Sequence, residues 1–313
     1  MDQSITFKYS TPLTRCQYFL PEIYMKINKT SPDDNNYLQG LCYIDNKPRA
    51  LYYIGTLPTE RQLTLAIVGT RKPTRYGTEV ALRFAGELAR RGIIIVSGLA
   101  LGIDALAHRA CLEADGTTIA ILANQLPDIR PAANRALGER IIAQGGAIMS
   151  EHCTSEPEPY VVGKWSFLER NRLVSGLADA ILIVEAAARS GTLNTAAHAL
   201  AQGKEVFVIP GNITSPMSAG CNALIRQGAT PVTSPDDILA VLQPSAIKKQ
   251  TALPLGATPA ETAIIKHLAA GIRDGDELQK ATELSAVEFN TTLTMLEING
   301  VVRSLGANQW SLR

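Results

Sequence analysis

Between residues 63 and 242 the chain alternates short, largely apolar runs with longer helical patterns, and this alternation restricts the fold more than any other feature. The runs lie at 65–68, 93–96, 118–122, 180–184, 205–209 and 230–232. They are rich in Val and Ile and mostly apolar without alternation, the pattern of strands covered on both faces. The helical patterns between them span 77–91, 103–114, 131–144, 168–176, 193–202 and 219–226. Strand–helix repetition of this kind predicts an α/β fold with a doubly wound, mainly parallel sheet.

Three of the strand–helix junctions carry glycine turns: Gly69-Thr70-Arg71-Lys72-Pro73-Thr74-Arg75, then Ser97-Gly98-Leu99-Ala100-Leu101-Gly102-Ile103-Asp104, and Ser190-Gly191-Thr192. In a parallel sheet such turns gather at the strands' carboxyl edge, where helix N-termini add partial positive charge. Without Cβ atoms, Gly98 and Gly102 can turn backbone N–H groups toward an anion, and phosphate is the expected one. Cations stand beside the turns, with Arg71, Lys72 and Arg75 in one segment and Lys164, Arg170 and Arg172 in another. Arg170 and Arg172 are two apart and point to different sides of a helix, so one is expected to face a ligand and the other to pair internally, with Glu185 the candidate partner. Asp104, in the first turn of a helix, suits a capping role. His108 lies one turn later with no serine, cysteine or second histidine placed to make it a catalytic base, and no catalytic residue is expected.

Net charge is only +1, so any polyanion site must be local. The five cysteines are scattered without a C-x-x-C pair, which argues against a disulfide framework or a zinc site. No metal or cofactor is expected. A reducing cytoplasm fits, since no signal pattern opens the chain and no apolar run nears the roughly 20 residues of a membrane helix.

Residues 1–60 read as an abbreviated lead-in with an exposed turn at Asp33-Asp34-Asn35-Asn36, and 61–242 as the main domain. Residues 243–258 carry Pro, Gly and Lys248-Lys249 without periodicity, as a linker does. Three helical segments at 259–268, 274–281 and 285–298, then short strands at 300–305 and 309–312, make a winged helix. From 257 to 313 five basic residues face seven acidic ones, a net of −2, and 285–298 contains no Lys or Arg. Phosphate contact needs such cations, so this module reads as a protein-interaction or regulatory element.

Residues 50–242 resemble the DNA-processing family DprA/Smf. The likeness rests on 66–73 (AIVGTRKP), 97–108 (SGLALGIDALAH), 170–177 (RNRLVSGL) and 190–196 (SGTLNTA), in that order. It implies an extended Rossmann-like domain that binds and protects single-stranded DNA, forms a homodimer and helps load a RecA-type recombinase, as in natural transformation. It also implies that 61–242 is the DNA-binding domain, with contacts at Gly69, Thr70, Arg71, Arg75, Ser97, Gly98, Gly102, Lys164, Phe167, Arg170, Arg172, Ser190, Gly191 and Thr192. In that set Lys164 meets a phosphate and Phe167 a base. The chain departs from the family in its short N-terminal region and in 124–131 (NQLPDIRP), where relatives often carry an aromatic-proline run. An alternative is a phosphoribohydrolase on a related fold, whose P-G-G-x-G-T-x-x-E loop ends in a catalytic glutamate; Thr195 stands in that place, and a hydroxyl cannot replace the carboxylate. A small-nucleotide sensor remains a third reading, since the same cradles suit a mononucleotide.

Overall fold

The apolar runs become the parallel centre of a nine-stranded sheet. The computed structural model describes residues 26–156, 160–243, 258–306 and 308–312, and the chain divides into two compact units at residues 242/243. In the first unit β1 (Asn28–Thr30), a 3-10 helix (Asn36–Tyr43) and β2 (Leu51–Gly55) precede β3 (Thr64–Val68). There follow α1 (Arg75–Arg90), β4 (Ile94–Ser97), α2 (Ile103–Glu113), β5 (Thr118–Ile121), a short 3-10 turn (Ala132–Asn134), α3 (Arg135–Ala143) and β6 (Ala147–Ser150). The unit closes with α4 (Lys164–Leu177), β7 (Ala180–Ile183), α5 (Thr192–Ala201), β8 (Glu205–Val208), α6 (Ala219–Arg226), β9 (Thr230–Pro231) and α7 (Pro235–Leu242).

The strand order is β1-β2-β6-β5-β4-β3-β7-β8-β9. From β6 to β9 all pairs are parallel, while β2 joins β6 and β1 joins β2 antiparallel. The order reverses between β3 and β7, so the chain winds away from that point in both directions and leaves a crevice at their carboxyl ends. Strand β3 shows why both faces are apolar. Leu65 and Ile67 join Phe84, Leu88 and Ile103 under α1 and α2, whereas Ala66 and Val68 join Leu38, Leu41, Leu173 and Val174 under the 3-10 helix and α4. Residues 26–60 thus contribute two strands and buried side chains to the same unit. Strands β1, β2 and β6 and helix α7 were not among the predicted elements.

In the second unit α8 (Pro259–Ala269), α9 (Gly275–Thr282) and α10 (Ala286–Ile298) precede a hairpin of β10 (Val302–Gly306) and β11 (Gln309–Leu312). Each helix begins at a side-chain cap: Thr258 with Glu261, Asp274, and Ser285. Ile264, Ile265, Leu278, Phe289, Leu293 and Val302 form its core. The predicted linker lies almost wholly outside the described residues.

Candidate functional site

The three glycine turns meet at the crevice, and each is held differently. After β3, Thr70 N–H donates to the Glu185 carbonyl at 2.8 Å. The buried Glu185 carboxylate then accepts from Thr74 N–H at 2.9 Å and Thr74 Oγ at 2.6 Å, while Thr74 Oγ1 caps α1 by accepting from Gly77 N–H. Gly77 has no room for a Cβ against that carboxylate. Fixed at both ends, the turn leaves Arg71, Lys72 and Arg75 exposed.

After β4 the turn is clamped from within. Gly98 N–H donates to Asp104 Oδ2 at 3.1 Å, and Arg170 Nη1 donates to the Gly98 carbonyl at 2.8 Å and to the Ile121 carbonyl. Burial raises the Asp104 pKa, opposed by the nearby Arg170 charge and by N–H bonds from Gly98 and Ala100. Burial lowers the Arg170 pKa to about 10, with Asp104 opposing, so the guanidinium stays charged at neutral pH. Leu99 takes the left-handed conformation (φ 56°), and Asn134 Nδ2 donates to its carbonyl at 2.8 Å. The Gly98 N–H is therefore spent on Asp104 and does not face a ligand, contrary to the simple anion-cradle expectation. Gly102, at φ +82°, packs against the Thr70 carbonyl with no space for a side chain, joining the first two turns.

Two adjoining cavities open here. One, of about 630 Å³, is lined by Gly69, Thr70, Lys164, Asn171, Arg189, Ser190, Gly191 and Thr192. The other, of about 590 Å³, is lined by Leu101, Leu122, Asn124, Gln125, Arg130, Pro131 and Val162. Arg71, Gly98, Ala100, Phe167 and Arg170 border both. The Arg71 guanidinium lies 5.4 Å from the Phe167 ring centroid, a cation–π contact that forms a ridge between the cavities.

Ten of the candidate residues thus come together: Gly69, Thr70, Arg71, Gly98, Lys164, Phe167, Arg170, Ser190, Gly191 and Thr192. Four do not line either cavity. Ser97 is buried and donates to the Ile67 carbonyl at 2.6 Å, Gly102 packs behind Thr70, and Arg75 is exposed in the first turn of α1. Arg172 is buried against both Glu151 oxygens at 2.7 Å; Glu185, the expected partner of one of the two arginines, instead holds Thr74. His108 is fully buried, its Nδ1 bonded to Thr118 Oγ1 at 2.7 Å, and burial together with Arg170 lowers its pKa to about 3. The sequence reading missed Arg189, Asn171 and the whole second cavity. The available signal was position, because 124–131 follows β5 at the same carboxyl edge as the glycine turns. Among the described residues no group of three or more His, Cys, Asp or Glu could hold a metal ion, and no helix is long and apolar enough to cross a membrane.

Chemically the trough offers exposed cations in one compartment and, in the other, a largely apolar wall with amide groups and the Arg130–Asp128 ion pair. Residues 28–243 match the family model for DNA recombination-mediator protein A, and residues 248–308 match the DprA winged helix domain. The chain is 44% identical over 211 residues to Protein Smf of Escherichia coli, a match covering 67% of this chain but only 55% of that protein. It is 38% identical to DNA processing protein DprA of Bacillus subtilis, over 68% of this chain and 70% of the relative. Among solved structures, DprA from Streptococcus pneumoniae superposes with a TM-score of 0.62 at 36% identity, covering 68% of this chain and 74% of that one. DNA processing protein A from Helicobacter pylori, described for its single-stranded DNA binding mode, gives 0.58 at 30% identity over 77% and 96%. With the sheet order, the paired turns and both family models in agreement, this chain belongs to the DNA recombination-mediator protein A family, also named DprA/Smf.

Proposed function

We propose that this protein binds single-stranded DNA in the divided trough, as a non-enzymatic mediator of recombination. The observation that carries the reading is the Arg71–Phe167 ridge, which sets a cation and an aromatic face between a cationic cavity and a largely apolar one. A single strand presents phosphates and unstacked bases side by side, and its binders combine cations with stacking surfaces. Arg71, Lys164 and Arg189 serve the phosphates, with the Ser190-Gly191-Thr192 turn at the start of α5, and Phe167 serves a base. Binding is favoured over glycosidic cleavage because Thr195 occupies the place of a catalytic glutamate and His108 is buried and uncharged. The family resemblance extends the proposal to a cytoplasmic homodimer that protects the strand and hands it to a RecA-type recombinase.

Titration with single-stranded and duplex oligonucleotides of graded length at several salt concentrations tests this. Preference for single strands is expected, with affinity rising with length and a log–log salt slope of magnitude about 2 to 3, given roughly 0.7 per phosphate neutralised. Equal or tighter duplex binding would overturn the reading, and saturation at one nucleotide would favour a nucleotide sensor.

A further inference from the structure

Arg170 lies on the floor shared by both cavities, yet the hydrogen bonds of its guanidinium run inward. It is 7% exposed, and the guanidinium's bonds run through Nη1 to the carbonyls of Gly98 and Ile121, with Nε buried and without a partner. On the other side of the same residue, Asp104 accepts the Gly98 N–H. One buried cation and one buried acid therefore hold the two peptide groups that flank Gly98. Gly98 itself is outside the left-handed region, so its backbone would admit a side chain, but a Cβ there would collide with the Arg170 guanidinium. Glycine at 98 is required by the arginine, not by the turn.

We propose that Arg170 is a positioning residue and not a phosphate ligand: with Asp104 it clamps the backbone on both sides of Gly98 and so fixes the floor from which the Arg71–Phe167 ridge rises. Phe167 stands one turn before Arg170 on α4, and Gly102 joins the clamped turn to Thr70 beside Arg71. Anchoring Arg170 thus registers the aromatic face on one side and the phosphate-facing cation on the other. Buried charges are retained where both partners are satisfied, and loss of one leaves the other stranded.

This inference rests on the single-strand reading, and the experiment separates the two. Salt-dependent binding of oligothymidylate by the full chain is compared for wild type, Arg170→Met and Lys164→Ala. Lys164→Ala is expected to lower the slope magnitude by about 0.7, as one lost phosphate contact does. Arg170→Met is expected to weaken binding about tenfold at every salt concentration with the slope unchanged, the effect of a displaced site. A slope reduced by about 0.7 in Arg170→Met, or unaltered affinity, would overturn the proposal. Should Arg170→Met not fold, Asp104→Asn/Arg170→Met removes both buried charges and is held to the same two criteria. If wild type does not bind single strands, the binding reading fails by itself and the clamp is judged by unfolding. Gly98→Ala is then expected to lower Tm by roughly 3 to 10 °C in the wild-type background and to have little effect beside Arg170→Ala. An equal fall in both backgrounds would reject the clamp.

Discussion

Arg170 and Arg172 stand two positions apart on α4 and serve different carboxylates, one near Asp104 and the other bonded to Glu151. Neither is among the exposed cations of the trough, which are Arg71, Lys164 and Arg189, with Arg130 held by Asp128 in the second cavity. Arg71→Ala and Lys164→Ala should therefore each weaken single-strand binding by on the order of 1.5 to 3 kcal/mol, the scale of a charge-assisted contact, with Tm unchanged. Normal affinity in both would remove the proposed site; a large fall in Tm would make these side chains structural. His108 gives a pH prediction. Its folded pKa of about 3 lies below the unfolded value of about 6.5, so acid protonates the unfolded chain first. The stability this histidine contributes is complete above pH 6.5 and is lost as pH falls toward 3. Between pH 6.5 and 4.5 the loss amounts to about 2 kcal/mol. Asp104, whose pKa is raised, works in the opposite direction, so the test compares wild type with His108→Gln by denaturant unfolding at both pH values. Parallel pH dependence in the two proteins would disprove the assignment.

Glu185, just beyond β7, organises an element to which it does not belong. It accepts both the N–H and the hydroxyl of Thr74, which caps α1, and it sets the turn carrying Arg71. Removing the carboxylate strands a buried donor pair, so Glu185→Ala should cost about 3 kcal/mol of stability and weaken single-strand binding without touching the strand. Denaturant unfolding with a binding assay checks both; intact stability would show that the cap is supported elsewhere. This role was invisible in the sequence, where Glu185 suggested a partner for an arginine, because the sheet order that places β7 beside β3 is a long-range fact. The central strands were legible because 65–68 and 180–184 are unbroken runs of apolar residues. Strand β6 was not: Ala147-Ile148-Met149-Ser150 ends in serine and follows two glycines, and the sheet makes it a strand by pairing it on both sides. The same holds for the second cavity, whose wall at 124–131 has no periodicity and is recognised only once β5 is placed.

At the scale of the whole molecule the two units differ in surface chemistry. The second has the architecture of a DNA reader, yet α10 carries no Lys or Arg and exposes Val287 at 78% and Ile298 at 71%. Such a helix offers little to a phosphate backbone and suits a protein partner better. Deleting residues 257–313, which carry a net charge of −2, should leave single-strand affinity within about threefold, or about 0.65 kcal/mol. Abolished binding would mean either that the module reads DNA directly or that it joins two copies and makes binding bivalent. The mass of the truncated protein in solution decides between these, because loss of a dimer lowers avidity without removing any phosphate contact from the individual trough. In that case the salt slope measured per site would stay the same, whereas loss of a direct reader would reduce it by about 0.7 for each contact removed.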